Sequence, residues 1–306
     1  MRRPPALRAG DRIALIAPGS PFDRTVFDRG LDELRALGFT PVFEPSVFER
    51  RKYVAGPAEG RANAFASAWA DPSIAGVLAV RGGYGSAQVL PWLDAEQLRA
   101  GCKVLLGCSD VTALLSYVTT RCGLVGFHGP MLVHLAAGDA GYDRASLLGQ
   151  LTGAHPYGEL AADGLEVLKR GRARGPLLGG TLTQLVASLG TPFAFDAPPG
   201  FVLLLDDVDE RPYRVDRMLV QLRQAGVLAR AGAVVCAEFP GCDEPASGPT
   251  IRSVLAELLD DVPGPVLFGL PTGHAAGPLL TVPLGVDVTV EATTGGRLII
   301  EEAAVG

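Results

Sequence analysis

The sequence predicts an α/β protein of two domains, the first built on a parallel sheet. Through the first half, short fully apolar runs alternate with helix-patterned stretches, the signature of strands buried on both faces of a parallel sheet. At 306 residues the chain exceeds what one small core serves. Between about Leu135 and Gly175 the pattern weakens and Gly and Asp accumulate. The expected division is therefore a domain over 1–150, a connecting segment over 151–175 and a second domain over 176–306.

The first strand is Arg12–Ala17 (RIALIA), stopped by Pro18-Gly19, and Arg24–Leu37 follows as a helix. Pro41–Phe43 reads as a second short strand, Glu59–Ala70 as a helix and Ala75–Val80 as a strand. Gln88–Trp92 opens another helix. Lys103–Leu106 is a strand leading into a helix over Val111–Thr119. Beyond the connection, Gly179-Gly180 precede a helix over Thr181–Leu189. A fully apolar strand, Phe201–Leu205, ends in acids and is followed by a helix over Tyr213–Gln224. Further strands are Ala233–Ala237, Val266–Phe268, Val286–Glu291 and Leu298–Glu301. Parallel sheets collect their chemistry at the carboxyl ends of strands, so the loops after these runs are where reactive residues are sought.

Hydrophobic residues make up 48% and charged residues 20%, the balance of a globular enzyme. A net charge of −6 offers no footprint for nucleic acid. The densest basic cluster, Lys169, Arg170, Arg172 and Arg174, sits among glycines and reads as a solvated linker. No apolar run reaches the roughly 20 residues of a membrane span. The apolar run Ile13–Ala17 is short and broken by Pro18, so no export signal is expected. Five cysteines (102, 108, 122, 236, 242) with no Cys-x-x-Cys pair read as reduced thiols. A cytoplasmic location is expected, and no repeat or low-complexity segment stands out.

Four constellations could carry chemistry. In Leu105-Leu106-Gly107-Cys108-Ser109-Asp110, a buried strand runs through Gly107 into a helical pattern. Ser109 is then either a helix N-cap or a nucleophile at a tight strand-to-helix turn, with the Asp110 N–H free to hold an oxyanion. Arg81-Gly82-Gly83-Tyr84-Gly85-Ser86 follows another apolar strand. Its spacing fits neither the dinucleotide fingerprint nor a P-loop, and a carboxylate or oxyanion nest fits better. Asp206, Asp207, Asp209 and Glu210 crowd the end of the Phe201–Leu205 strand. They read as helix caps, as a loop held by Arg211, Arg214 and Arg217, or as a divalent-metal or glycosidase-type carboxylate pair. His274 lies in the Gly/Pro-rich loop GLPTGHAAGP, and it alone of His128, His134, His155 and His274 is downstream of that cluster. Ser109, Asp206 and His274 thus occur in the order nucleophile, acid, base, each at a strand end or loop.

The segments IALIAPGSP, RGGYGSAQVLPWLD, LLGCSDVTALL, GFHGPML, GPLLGGTLTQLVASLGTPF, LLLDDVDERPYRVDRMLVQL and GLPTGHAAGPLLTVPLG run in order along nearly the whole chain. Together they resemble LD-carboxypeptidases, the family of muramoyltetrapeptide carboxypeptidases and microcin C self-immunity peptidases. The resemblance implies a Rossmann-like N-terminal domain, a smaller β-rich α/β C-terminal domain, a groove between them, a homodimer and a metal-free triad without cofactor. Carried over, it implies Ser109 as nucleophile and His274 as base. Asp206 is the acid where the family has Glu, with Asp207 as the alternative. Gly83 and Asp110 would supply oxyanion N–H groups, with Arg81 and Tyr84 beside the substrate. A second departure is Thr181, where the family commonly shows Asn. The implied reaction releases terminal D-alanine from murein tetrapeptide. The rivals are cleavage of aminoacyl-nucleotide conjugates, for which such family members stack the base on an aromatic side chain of an inserted loop, and a catalytically silent binding protein. Tyr142 and Tyr157 are the aromatic residues between Leu135 and Gly175, where the domains are expected to connect. A metal-dependent hydrolase using the carboxylate cluster is a further reading from the residues alone.

Overall fold

Strand β1 (Arg12–Ile16) ends at Pro18-Gly19, and the chain returns through helix α1 (Arg24–Ala36), capped by Asp23, to β2 (Thr40–Val42). The pattern repeats as α2 (Ala58–Ala70), β3 (Ile74–Ala79), α3 (Ala95–Gly101), β4 (Val104–Gly107), α4 (Thr112–Ser116) and β5 (Gly126–His128). After α5 (Leu132–Leu135) and α6 (Arg144–Thr152) come β6 (Gly158–Glu159), β7 (Glu166–Lys169) and the long β8 (Gly171–Thr181). Helix α7 (Leu182–Ser188) leads to β9 (Phe201–Asp206), α8 (Pro212–Gln224), α9 (Val227–Arg230), β10 (Ala231–Ala237) and α10 (Ile251–Leu258). The chain closes with β11 (Val266–Leu270), β12 (Val282–Leu284), β13 (Asp287–Ala292) and β14 (Gly296–Ile300). This computed structural model describes residues 1–160, 162, 164–245 and 248–306.

Two sheets result. The first has the order β12-β5-β4-β3-β1-β2, parallel except for the edge strand β12, which joins β5 antiparallel. Strand order reverses between β1 and β3, so the loops after them face each other across a crevice at the carboxyl ends. Ser20 N–H donates to Gly82 O across that crevice at 2.9 Å. The second sheet runs β6-β14-β13-β8-β9-β10-β11-β7, with a parallel centre from β8 to β11 and antiparallel flanks.

Strand β9 shows how the sheets are held together. Its residues are fully apolar up to Asp206 because both faces are covered. Val202 and Leu204 share one continuous core with the N-terminal sheet. Phe201, Leu203 and Leu205 pack on the other face against α7, α8 and α10. Each such side chain contributes roughly 1.5–3 kcal/mol by leaving water. Successive strand residues point to opposite faces, so Asp206 falls on the face of Val202 and Leu204, toward the N-terminal sheet.

The structure corrects several expectations. Gln88–Trp92 is two short 3₁₀ turns, because Pro91 has no N–H to continue a helix; α3 starts at Ala95 behind the Asp94 cap. The helix expected over Val111–Thr119 is α4 followed by a wider π-type turn over Tyr117–Arg121. Residues 135–175 contain α6, β6, β7 and the start of β8; Ala161 and Asp163 lie outside the described residues. The basic cluster is sheet, not linker: Arg172 pairs with Glu291 and Arg174 with Asp287, each at 3.2 Å across β8 and β13. All five cysteines are buried and unbridged. No helix among the described residues is long and apolar enough to cross a membrane.

Candidate active site

Ser109 follows β4 at a sharp turn, with φ of 62°, in the left-handed region that a serine adopts only at a cost. The turn leaves its hydroxyl partly exposed at the head of α4, as in the strained elbows that present a nucleophile. The N-cap alternative does not describe it: the Ser109 side chain caps no helix N–H, and its Oγ meets His274 Nε2 at 2.9 Å. His274 Nδ1 in turn lies 2.6 Å from Asp206 Oδ2. The other carboxylate oxygen, Oδ1, accepts from Thr181 Oγ1 at 2.9 Å. Thr181 thus supports Asp206 from the position where an Asn was expected.

Asp207 is not part of this series. It accepts from Thr183 N–H at 2.9 Å, Thr183 Oγ1 at 2.7 Å and Val208 N–H at 3.0 Å, on the α7 side of the sheet. The arginines expected around the carboxylates largely pair elsewhere. Arg211 bonds Glu244 and only Arg214 reaches the cluster, at Glu210. Among the described residues, no three His, Cys, Asp or Glu side chains are grouped to hold a metal ion.

The His274 loop is braced at several points. Leu280 N–H donates to Pro271 O and Thr272 Oγ1 to Leu280 O, each at 2.8 Å. Ala276 N–H donates to Glu238 Oε2, and Cys108 Sγ–H donates to Gly273 O at 3.6 Å. Gly273 has φ of 68°, and a Cβ there would run into Asp206 Oδ2. Only glycine lets this turn close on the carboxylate.

Burial pushes the Asp206 carboxyl up, but hydrogen bonds from His274 and Thr181 and the adjacent imidazoles outweigh it and hold it below the usual aspartate range. Burial likewise pushes His274 down. The Asp206 hydrogen bond and the charges of Asp206, Asp207 and Asp209 reverse this and leave it above an ordinary histidine. Asp207 is raised to about 6 by burial, against its hydrogen bonds from Thr183.

The glycine loop closes over Ser109. A Cβ on Gly82 would lie 2.8 Å from Ser109 Cβ and 3.2 Å from Asp110 N. The loop is pinned by the buried Asp110 side chain, which accepts from Ser86 N–H and Oγ at 2.8 and 2.6 Å and from Gly85 N–H at 3.2 Å. Burial raises the Asp110 carboxyl despite these bonds and the nearby Arg61. Among the described residues the N–H groups of Gly83 and Asp110 have no protein acceptor. Backbone donors near a site are seldom left so. Arg81 instead bonds Pro21 O, and Tyr84 is 51% exposed with its ring 5.4 Å from that of Tyr53, so both stand on the rim. The Asp110 side chain and Ser86 were not singled out from sequence; an acid directly after the turn serine was the available signal.

Fold and site together are those of a two-domain α/β hydrolase. Residues 13–129 match the model of the LD-carboxypeptidase N-terminal domain and residues 174–290 that of the LD-carboxypeptidase C-terminal domain. The chain belongs to the LD-carboxypeptidase family of peptidases. A Streptomyces coelicolor relative named "Putative carboxypeptidase" is 39% identical, covering 96% of this chain and 94% of its own. The murein tetrapeptide carboxypeptidase of Pseudomonas aeruginosa is 34% identical, covering 87% and 88%. Among solved structures, the muramoyltetrapeptide carboxypeptidase from Oxalobacter formigenes superposes with a TM-score of 0.83 at 29% identity, over 95% of this chain and 99% of that one. The microcin C7 self-immunity protein MccF, in complex with glutamyl sulfamoyl guanosine, shares the fold with a TM-score of 0.88 at 24% identity over the whole of both chains.

Proposed function

We propose that this chain is a serine-type, metal-independent LD-carboxypeptidase that releases the terminal D-alanine of murein tetrapeptide, in the cytoplasm, during cell-wall recycling. The observation that carries the chemistry is the unbroken series Ser109 Oγ–His274 Nε2 and His274 Nδ1–Asp206. His274 takes the Ser109 proton as Oγ attacks the amide carbonyl. The N–H groups of Gly83 and Asp110 receive the developing oxyanion, a task unpaired donors perform without reorganising. Asp206 keeps the histidine in the Nδ1–H tautomer and stabilises its protonated form. His274 then protonates the leaving amine of D-alanine, and water delivered through the same base releases the acyl group. Arg81 and Tyr84, with Tyr53, form the rim that the peptide passes, and the working unit is a homodimer.

Murein is favoured over aminoacyl-nucleotide conjugates on two grounds. The relative named for murein tetrapeptide is 34% identical, against 26% for the microcin C7 self-immunity protein of Escherichia coli. The aromatic residues between Leu135 and Gly175 are also engaged. Tyr142 is buried and bonds Glu33, and Tyr157 packs on Gly149 beside the core. Neither is a free platform for a nucleobase. The test is incubation of purified protein with murein tetrapeptide and with an aminoacyl sulfamoyl nucleoside, with mass detection of products. D-Alanine release is expected. Cleavage of the nucleoside conjugate alone would overturn the substrate assignment.

A further inference from the structure

We infer that His128 is a positioning residue: a second imidazole beside Asp206 that fixes the carboxylate through its Oδ1, while His274 meets Oδ2. The inference rests on the Ser109–His274–Asp206 reading. His128 ends β5, in register with Gly107 of the nucleophile strand and with Val282 of β12. It is fully buried, and its Nε2 lies 3.7 Å from Asp206 Oδ1. Neither of its ring nitrogens has a hydrogen-bond partner among the described residues. A residue serving packing alone would be cheaper as Leu or Phe at this place, because a buried N–H without an acceptor is costly.

The Asp206 carboxylate, 3.7 Å away, is an acceptor within reach. Shortening the contact by about 0.5–1 Å makes an N–H···O bond of ordinary length. Space has been kept for that approach, since a Cβ on Gly273 would stand 3.0 Å from His128 Nε2 as well as against Asp206. Burial lowers the His128 pKa, so the ring is neutral and offers a single N–H. With that proton on Nε2, Asp206 Oδ1 is gripped by an imidazole of the first sheet and by Thr181 of the second. Oδ2 is then left aimed at His274. No proton leaves His128 in the reaction. Its effect is on the plane of the carboxylate, and so on the orientation and tautomer of the base.

His128→Gln keeps an N–H at the reach of Nε2, whereas His128→Met keeps length and bulk without a donor. Three readouts separate a positioning role from a packing one: the rate of Ser109 labelling by a fluorophosphonate, kcat and KM for D-alanine release, and Tm. H128M is expected to lose about 10- to 100-fold in labelling rate and kcat with KM within about twofold, the pattern of an interaction that matters to the transition state. H128Q is expected to recover to within about fivefold of wild type at a Tm no higher than that of H128M. His128→Leu serves the same comparison should the methionine variant not accumulate. Equal labelling of wild type and H128M, or equal losses in H128Q and H128M, overturns the inference while leaving the nucleophile assignment intact. Absence of labelling at Ser109 in the wild type overturns both.

Discussion

Replacing Asp206 tests the proposed acid most directly, because the structure says how each replacement fails. In Asp206→Asn the amide oxygen is drawn to the position of Oδ1, where Thr181 Oγ1 donates at 2.9 Å. The NH₂ group then faces His274 Nδ1 in place of the oxygen now 2.6 Å away. His274 must turn an unprotonated Nδ1 toward that donor, which puts its proton on Nε2, opposite Ser109. The base is then in the wrong tautomer, a fault that costs about 10⁴-fold, or about 5.5 kcal/mol of transition-state stabilisation. Asp206→Glu fails by length. An added methylene advances the carboxylate by about 1.5 Å, but Asp206 is fully buried and the chain at Gly273 is packed so closely that even a Cβ there would run into Oδ2. A misplacement of that size is expected to cost about 10²-fold or more. Asp207→Asn keeps an acceptor for Thr183 and should stay within about tenfold of wild type, since it touches no member of the series. The assay is D-alanine release by the three purified variants, with Tm recorded for each. An inactive Asp207→Asn beside an active Asp206→Asn would refute the assignment of the acid, and an Asp206→Glu as fast as wild type would refute the argument from space.

Ser109→Ala and His274→Ala should each reduce turnover by about 10⁶-fold with the fold intact by circular dichroism; more than a few per cent residual activity in Ser109→Ala would exclude it as nucleophile. The base works only when neutral, and His274 is held above the ordinary value of 6.5, so kcat/KM should rise with pH through an apparent pKa above 6.5. Asp206→Asn removes the group that raises it, and the same limb, measured on the residual activity, should move down. Activity should be unchanged by EDTA; loss on chelation with recovery on adding a divalent ion would bring the carboxylate cluster forward instead. Gly82→Ala places a methyl 2.8 Å from Ser109 Cβ and should lower kcat by about 10²-fold with little change in Tm.

The candidate site was largely legible because its residues stand at places that sequence marks well. Gly107-Cys108-Ser109 follows a buried strand, Asp206 closes an apolar one, and His274 lies between glycines and prolines. The choice between Asp206 and Asp207 was not legible. It depends on which residue is the last to alternate with Val202 and Leu204, and neither acid differs in local pattern. The second sheet was less legible still. Strand β8, GRARGPLLGGT, carries four glycines and two exposed arginines, so its outer half has no apolar run to announce it. Strand β12 is three residues with a proline in the middle, and its partner β5 lies more than a hundred residues away. His128 left no signal, because a lone histidine after a two-residue apolar start reads the same in a core or in a site.

The three groups of the proposed triad come from different parts of the fold. Ser109 belongs to the first sheet, whereas Asp206 and His274 belong to the second. Their spacing is therefore set by how the sheets pack rather than by any single loop. That packing is fixed close to the site: Thr181 N–H donates to Thr112 Oγ1 at 3.1 Å, and Gly180 leaves no room for a Cβ against the same threonine. Strand β12 carries the chain that bears His274 back to the first sheet, and Val202 and Leu204 share a core with that sheet. Interiors packed at this density shift as units and do not deform side chain by side chain. The spacing of the three groups therefore depends on close approach at Gly273 and Gly180, where a Cβ would run into Asp206 Oδ2 and Thr112 Oγ1 respectively.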